Sequence, residues 1–431
     1  MWLTIIISAI TCLLMIMAVL FFPKIKLFNL SLGSYWVVTV IGAFVLLLCG
    51  TVDFGTVGSA LVADTAINPL KILVLFISMT ILSIFLDELG FFSYLANLAL
   101  KKAGASQLRL FMILYITVSV LTVFTSNDII ILSFTPFICY FAKNAKISPL
   151  PYLAAEFVAA NTWSMALIIG NPTNIYLVTA AGGDFMSYLK VMLIPTLCSG
   201  VVAFICLFLL FKNKLRSPIT DATVSEVVIE DKLSLGVGVF HLAACTLILA
   251  IGSYIGIEMW LVSLIAAISL FVCMILISIV RRKKPVALIA CLKRAPWELI
   301  PFVLSMFVVV EALNANSVTD TIYSLLGESV PIWKYGVTSF IASNLINNIP
   351  MSVFYSSILE GTSSAAAVFA TVVGSNLGAC LTPIGALAGI MWSSILKEHN
   401  LKFGYLDFLK IGVTVAIPAL VAALGVLSLI I

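Results

Sequence analysis

Residues 125–128 read Thr-Ser-Asn-Asp, with apolar sequence on both sides. A carboxylate inside such a run costs roughly 3 kcal/mol or more where it meets lipid. Three further polar breaks interrupt apolar stretches: GNPTN (170–174), LINN (345–348) and GSNLGACLTPIG (374–385). A broken helix frees backbone amides at one half-helix N-terminus and carbonyls at the other end. The amides favour anions and the carbonyls favour cations. Side chains of Ser126, Asn127, Asn171, Thr173 and Asn174 add neutral oxygens for a hard cation, or hydrogen bonds for an oxyanion. Asn127 and Asn174 are the candidate sodium ligands. Gly170 permits unusual dihedrals and Pro172 removes a donor. Thr382, Pro383 and Gly385 do the same later in the chain, with Ser375 and Asn376 ahead of them. Asn161, Thr162, Asn347 and Asn348 complete the candidate binding set.

Asp128 is the only acid at the four breaks, and its counterpart in the second half is Asn348. A single carboxylate in a low-dielectric site is a candidate proton or cation carrier. The competing reading is that residues 125–128 only cap the following helix. Ser or Asn would cap as well without the burial penalty.

The elements that hold these residues follow from composition. Of 431 residues, 62% are hydrophobic and 10% charged. Stretches of 16–22 residues lack any charge, which indicates a polytopic α-helical membrane protein. Ten-residue alternating segments, the mark of a membrane β-barrel, are absent. The nine cysteines lie singly and form no CxxC, which argues against a disulfide framework or a zinc site. The start, MWLTIIISAI, has no basic region and reads as a retained first span.

Full spans fall at roughly 3–22, 33–50, 70–87, 188–211, 233–252, 258–280, 297–312 and 406–430. Stretch 109–142 is too long for one span and too short for two, with about 16 residues before its break and about 14 after. Arg109, Lys143 and Lys146 put both ends on the cytoplasmic side. A re-entrant hairpin satisfies both facts. With one crossing per span, all basic residues but Lys71, Lys190 and Lys334 fall inside. Asp53, Asp64, Glu258, Asp320, Glu328 and Glu360 fall outside, as do both termini.

The same scheme exposes two inverted-topology repeats, 1–211 and 233–431, joined by a cytoplasmic linker at 212–232. Each has a re-entrant helical hairpin (109–142, 335–359) and a broken transmembrane helix (151–181, 364–396). Paired broken helices in inverted repeats mark the binding site of a secondary transporter.

Asp87 and Glu88 end a span and fit a surface or a gating role. Glu156 fits a cavity or an interface. His241 and His399 are structural or solvated. RRKK (281–284) is a membrane-surface anchor. Cys380 is a small buried residue in a break. HExxH, GxSxG and paired intramembrane carboxylates are absent from the sequence, so an intramembrane enzyme is disfavoured. A channel fits inverted repeats of broken helices poorly.

With these residues in view, the chain resembles the arsenical-pump membrane proteins of the ion-transporter superfamily. Sodium–dicarboxylate symporters and sodium/proton antiporters are more distant relatives. The matching pieces are LDELGFF (86–92), the ND of 127–128 with ILSFTPF, APWELIPF (295–302), INNIP (346–350), GSNLG, LTPIGALA and the closing KFGYLDFLKIGVTVAIP. The pump pattern has an acid where this chain has Asn161, SNLVN where it has GNPTN, and an acid and a lysine where it has Asn376 and Cys380. GNPTN is more similar to the anion and sodium-coupled branches.

The resemblance implies a secondary transporter of the inner or plasma membrane with alternating access, an elevator-type motion and a homodimer. Arsenite or antimonite, exported with proton coupling through Asp128, is the leading substrate. A sodium-coupled transporter of a small organic or inorganic anion is the alternative, or a sodium/proton antiporter. No cofactor is expected beyond a proton or sodium gradient, and no nucleic acid. A soluble ATPase partner is known for some relatives.

Overall fold

The computed structural model describes residues 1–22, 24–27, 30–64, 68–219, 228–327, 329–359, 364–401 and 403–431. Glu328, Glu360, Lys402 and linker residues 220–227 lie outside the described residues.

The first half runs α1 (Trp2–Phe21), a β-ribbon of β1 (Lys24–Leu27) and β2 (Leu30–Gly33), α2 (Ser34–Leu48), α3 (Phe54–Val62) and α4 (Pro69–Glu88). It continues through α5 (Phe91–Ala103), α6 (Gln107–Phe124), α7 (Asn127–Asn144), α8 (Leu150–Trp163), α9 (Pro172–Ala180) and α10 (Phe185–Phe211). The second half runs α11 (Lys232–Ile255), α12 (Met259–Arg281), α13 (Val286–Arg294), α14 (Leu299–Ala315) and α15 (Val318–Leu326). Then come α16 (Pro331–Ile346), α17 (Asn348–Leu359), α18 (Ala365–Gly378), α19 (Leu387–Glu398) and α20 (Tyr405–Ile430). The succession of long and short helices in α1–α10 recurs in α11–α20.

Helix ends follow the local chemistry. Asn68 accepts from the amides of Leu70 and Lys71 ahead of Pro69, which starts α4. Asp184 and Ser187 form a capping box that opens α10. Among the described residues, seven helical stretches are long and apolar enough to cross a membrane. On α12, Val262, Leu270 and Met274 face the core while Ile265, Ile268, Val272 and Leu276 are exposed. An outward apolar face of this kind suits lipid and not water.

The halves interleave. Helix α2 packs against α14, and α4 against α12. Helix α7 packs against α19, α9 against α17, and α10 against α20. Small residues permit close approach between α16 and α18. A Cβ on Gly374 would collide with Ser339 Oγ and the Gly336 carbonyl.

Polar contacts group the loops. Lys71 pairs with Asp64 at 2.5 Å and Glu258 at 2.7 Å. The Met1 amino group donates to Asn316. Elsewhere, the Ile219 amide donates to the Ala105 carbonyl, which ties the start of the linker to the α5–α6 turn.

Some expectations need correction. The β-ribbon departs from a purely α-helical reading, and α3, α5, α13 and α15 were not foreseen as helices. Helices α6 and α7 have 18 residues each, not about 16 and 14. Ser106 caps α6 so that it starts two residues before the apolar run, and α7 continues through Lys143. Each arm is therefore about 27 Å long.

Candidate functional site

The two polar tips and two helix breaks form two hydrogen-bonded groups, one of which joins the halves. At the first tip, α6 ends at Thr125, whose hydroxyl donates back to the Leu121 carbonyl. Ser126 stands at the N-cap of α7 but makes no side-chain cap bond. Asn127 instead donates to Asn161 Oδ1 on α8, at 3.0 Å. The Asn127 side chain thus ties the tip to α8 of the same half, and the capping reading finds no support in its hydrogen bonds.

Asp128 lies half-buried in the first turn of α7. Among the described residues, no hydrogen bond or ion pair to its carboxylate is recorded. Tyr35 of α2 is within electrostatic reach, and the Tyr35 hydroxyl donates to Glu298 Oε2 at 3.2 Å.

The first break separates α8 from α9. Asn171 caps α9 by accepting from the Thr173 amide at 3.2 Å. Gly170 does not take a left-handed conformation; it is required because a Cβ would strike the Ser164 carbonyl. Gly385 is likewise held by close approach, with a Cβ meeting the Gly378 carbonyl at 2.7 Å. These two glycines serve packing, contrary to the dihedral role expected of them.

Asn376 of α18 joins the second half to this break. Its Oδ1 accepts from Ser164 Oγ at 2.8 Å and from Asn171 Nδ2 at 3.0 Å. Its Nδ2 donates to Asn174 Oδ1 at 2.7 Å. Asn174 in turn donates to the carbonyls of Ser164 and Leu167. The whole network is buried and holds no charge.

The second tip and second break form a separate group. Asn347, in a left-handed conformation with φ 73°, donates to the Ile384 carbonyl at 2.9 Å. The Asn348 amide donates to the Gly385 carbonyl at 2.9 Å. Thr382 donates to Asn344 Oδ1 at 2.6 Å. Asn127 and Asn174, proposed together as sodium ligands, are each bonded to other asparagines.

Among the described residues, several buried oxygens at the first group have no hydrogen-bond partner: Ser126 Oγ, Asn127 Oδ1, Thr173 Oγ1 and Ser375 Oγ. Thr162 lies beside the Cys380 thiol. No group of three or more potential metal-ligating side chains occurs among the described residues. Sequence reasoning missed Ser164 and Asn344. Each stands three residues from a site asparagine, at helical spacing from Asn161 and Asn347, and that spacing was the available signal.

The other singled-out residues resolve as follows. Asp87 accepts from Ser133 of α7 at 2.7 Å and pairs with Arg294 at 2.8 Å. His241 bonds Val237 and Ser269 and is structural, while His399 is exposed. Glu156 is completely buried.

Apolar helices surrounding a buried polar network define a multi-pass membrane protein. A family model described as "Citrate transporter" (CitMHS) matches residues 1–373. An arsenical pump membrane protein of Escherichia coli is 26% identical over 421 residues, covering 93% of this chain and 94% of that one. A putative arsenical pump membrane protein of Bacillus subtilis (strain 168) is 25% identical over 401 residues, covering 86% and 88%. The crystal structure of the Alcanivorax borkumensis YdaH transporter shares the fold at 14% identity, with TM-score 0.57, covering 99% of this chain and 97% of that one. The chain belongs to the citrate transporter (CitMHS) family, a membrane transporter family. The resemblance to arsenical-pump membrane proteins holds over most of its length.

Proposed function

We propose that the chain is a secondary active transporter working by alternating access, with arsenite or antimonite as leading substrate and proton coupling through Asp128. One observation carries this reading. The network joining the halves is polar but uncharged, and a single carboxylate without a partner stands at its edge. Arsenious and antimonous acids are uncharged trihydroxides near neutral pH, and a site of amides and hydroxyls offers hydrogen bonds without demanding charge. The names of the relatives support the same substrate.

The second reading is sodium-coupled transport of a small anion. The unpartnered oxygens of Ser126, Asn127, Thr173 and Ser375 favour it, because a hard cation takes oxygen ligands. The family description favours a carboxylate anion. The N-terminal ends of α7 and α19, which lack a side-chain cap, would face such an anion.

In both readings the halves are inverted repeats with re-entrant hairpins, supported by the recurring helix order and the crossed packing of α7 with α19 and α9 with α17. The hairpins and broken helices move as one body past α1–α4 and α11–α14, in an elevator-like motion, within a homodimer. The protein resides in the inner or plasma membrane with both termini outside. The Met1–Asn316 and Lys71–Glu258 contacts agree with that arrangement.

Uptake into proteoliposomes tests the reading. Arsenite, citrate and sodium are compared with and without a pH gradient. Arsenite accumulation that follows the pH gradient is expected. Citrate uptake that requires sodium and ignores the pH gradient would replace the first reading by the second.

A further inference from the structure

Glu156 is 0% exposed and plays no part in the mechanism above. Its Oε1 accepts from Thr135 Oγ1 at 3.0 Å, and its Oε2 accepts from Trp392 Nε1 at 3.2 Å. Thr135 lies on α7 about two turns beyond Asp128, on nearly the same face. Trp392 lies on α19 of the other half, walled by Phe157, Phe403 and Phe408. One carboxyl group therefore joins α7, α8 and α19 about two turns beyond the first hairpin tip.

No ion pair to Glu156 is recorded among the described residues. The helices packed around α8 carry Arg109 (α6), Asp128 and Lys143 (α7) and Lys190 (α10), and α18 carries no charge; α20, whose Phe408 meets Phe157 and Trp392, carries Asp407 and Lys410. On α19 the charges are Lys397 and Glu398, at its far end. Cys139 of α7 is the titratable group in electrostatic contact with Glu156.

We propose that Glu156 binds and releases a proton during the transport cycle, as a second ionisable site beside Asp128. This rests on the proton-coupled reading. The partners suit both protonation states without movement of heavy atoms. Trp392 N–H can only donate, so Oε2 always accepts. The Thr135 hydroxyl donates to an ionised Oε1. It accepts from a protonated one when its own hydrogen turns to the carbonyl one helical turn back. The proton comes from water on one side and returns to water on the other, and no other bond changes. A purely structural tie needs no ionisable group, since glutamine would accept from Trp392 and donate to Thr135.

The test compares wild type, Glu156→Gln and Asp128→Asn in proteoliposomes. Infrared difference spectra between acid and alkaline pH read each titrating carboxyl directly. A carboxylic C=O band should vanish in E156Q and a different one in D128N. Accumulation driven by the pH gradient should fall about tenfold or more in E156Q, with exchange of substrate at equal pH little changed. If E156Q does not fold, Thr135→Val removes the reversible partner and should cause the same loss of coupling. A wild-type infrared titration in E156Q overturns the proposal. If D128N loses coupling while E156Q keeps it, the proton-coupled reading survives and the role of Glu156 fails. Wild-type transport indifferent to the pH gradient instead overturns the coupling reading itself.

Discussion

Asn376 Nδ2 donates to Asn174 Oδ1 at 2.7 Å across 202 residues of sequence. The same Asn376 oxygen accepts from Ser164 and Asn171. One side chain of the second half therefore completes three polar groups of the first. Asn376→Ala should leave Asn171 Nδ2 and Asn174 Oδ1 buried without partners, at about 1–3 kcal/mol for each, while Ser164 Oγ keeps its bond to the Asn161 carbonyl. A thermal unfolding midpoint well below wild type, with transport lost, is expected. A wild-type midpoint would mean that the network re-pairs without Asn376.

Asp128→Asn should insert and fold normally while losing gradient-driven accumulation. The substitution keeps shape and polarity and removes only the ionisable group. Wild-type accumulation in this variant would sink the carrier assignment. Size-exclusion profiles and unfolding midpoints guard against a folding defect.

Gly374→Ala should destabilise the α16–α18 contact, because the new methyl meets Ser339 Oγ and the Gly336 carbonyl. Overpacking of this kind costs about 1–3 kcal/mol. Gly425→Ala is the control: no atom lies within 4 Å of the added Cβ. Equal unfolding midpoints for the two variants would contradict the packing described.

Acid should weaken the tie between Asp231 and Arg281. Burial alone would raise the Asp231 pKa, but hydrogen bonds from Ser234 and the Arg281 guanidinium outweigh it and hold it at about 2. A depressed carboxylate contributes stability above its unfolded value, near 4. That contribution fades as pH falls through about 2. Both side chains are over a third exposed, so solvent holds the effect to about 1 kcal/mol or less. Asp231→Asn should flatten the acid limb of the stability profile, and an unchanged limb would rule out this pair as its source.

Single cysteines at Asp64 and Ser317 should react with an impermeant maleimide from outside, in a background without reactive native cysteines. Cysteines at Lys102 and Ser217 should react only from inside. Labelling of Asp64 and Lys102 from one side would break the proposed topology.

The sequence made the breaks legible because polar residues stand out at membrane depth. Asn127, Asn171, Asn174 and Asn376 needed no structure to be noticed. Their pairing was not legible, because residues 174 and 376 meet only through the crossed packing of the halves. The nine-residue helices α3, α13 and α15 escaped notice because they are too short to register as spans. The β-ribbon went unread because its residues fall in the short connection between the first two expected spans. Glu156 was visible as an acid near the start of a span. Its burial depends on Trp392, from the opposite half, and no local pattern reports that.

The division of the polar network between Asn376 and the first-half break also has a meaning in time. A chain made from its N-terminus inserts Ser164, Asn171 and Asn174 roughly two hundred residues before Asn376 exists. Until then these groups must be satisfied by water or by the insertion machinery. The first half therefore waits in the membrane, unfinished at its centre, for the second half to arrive.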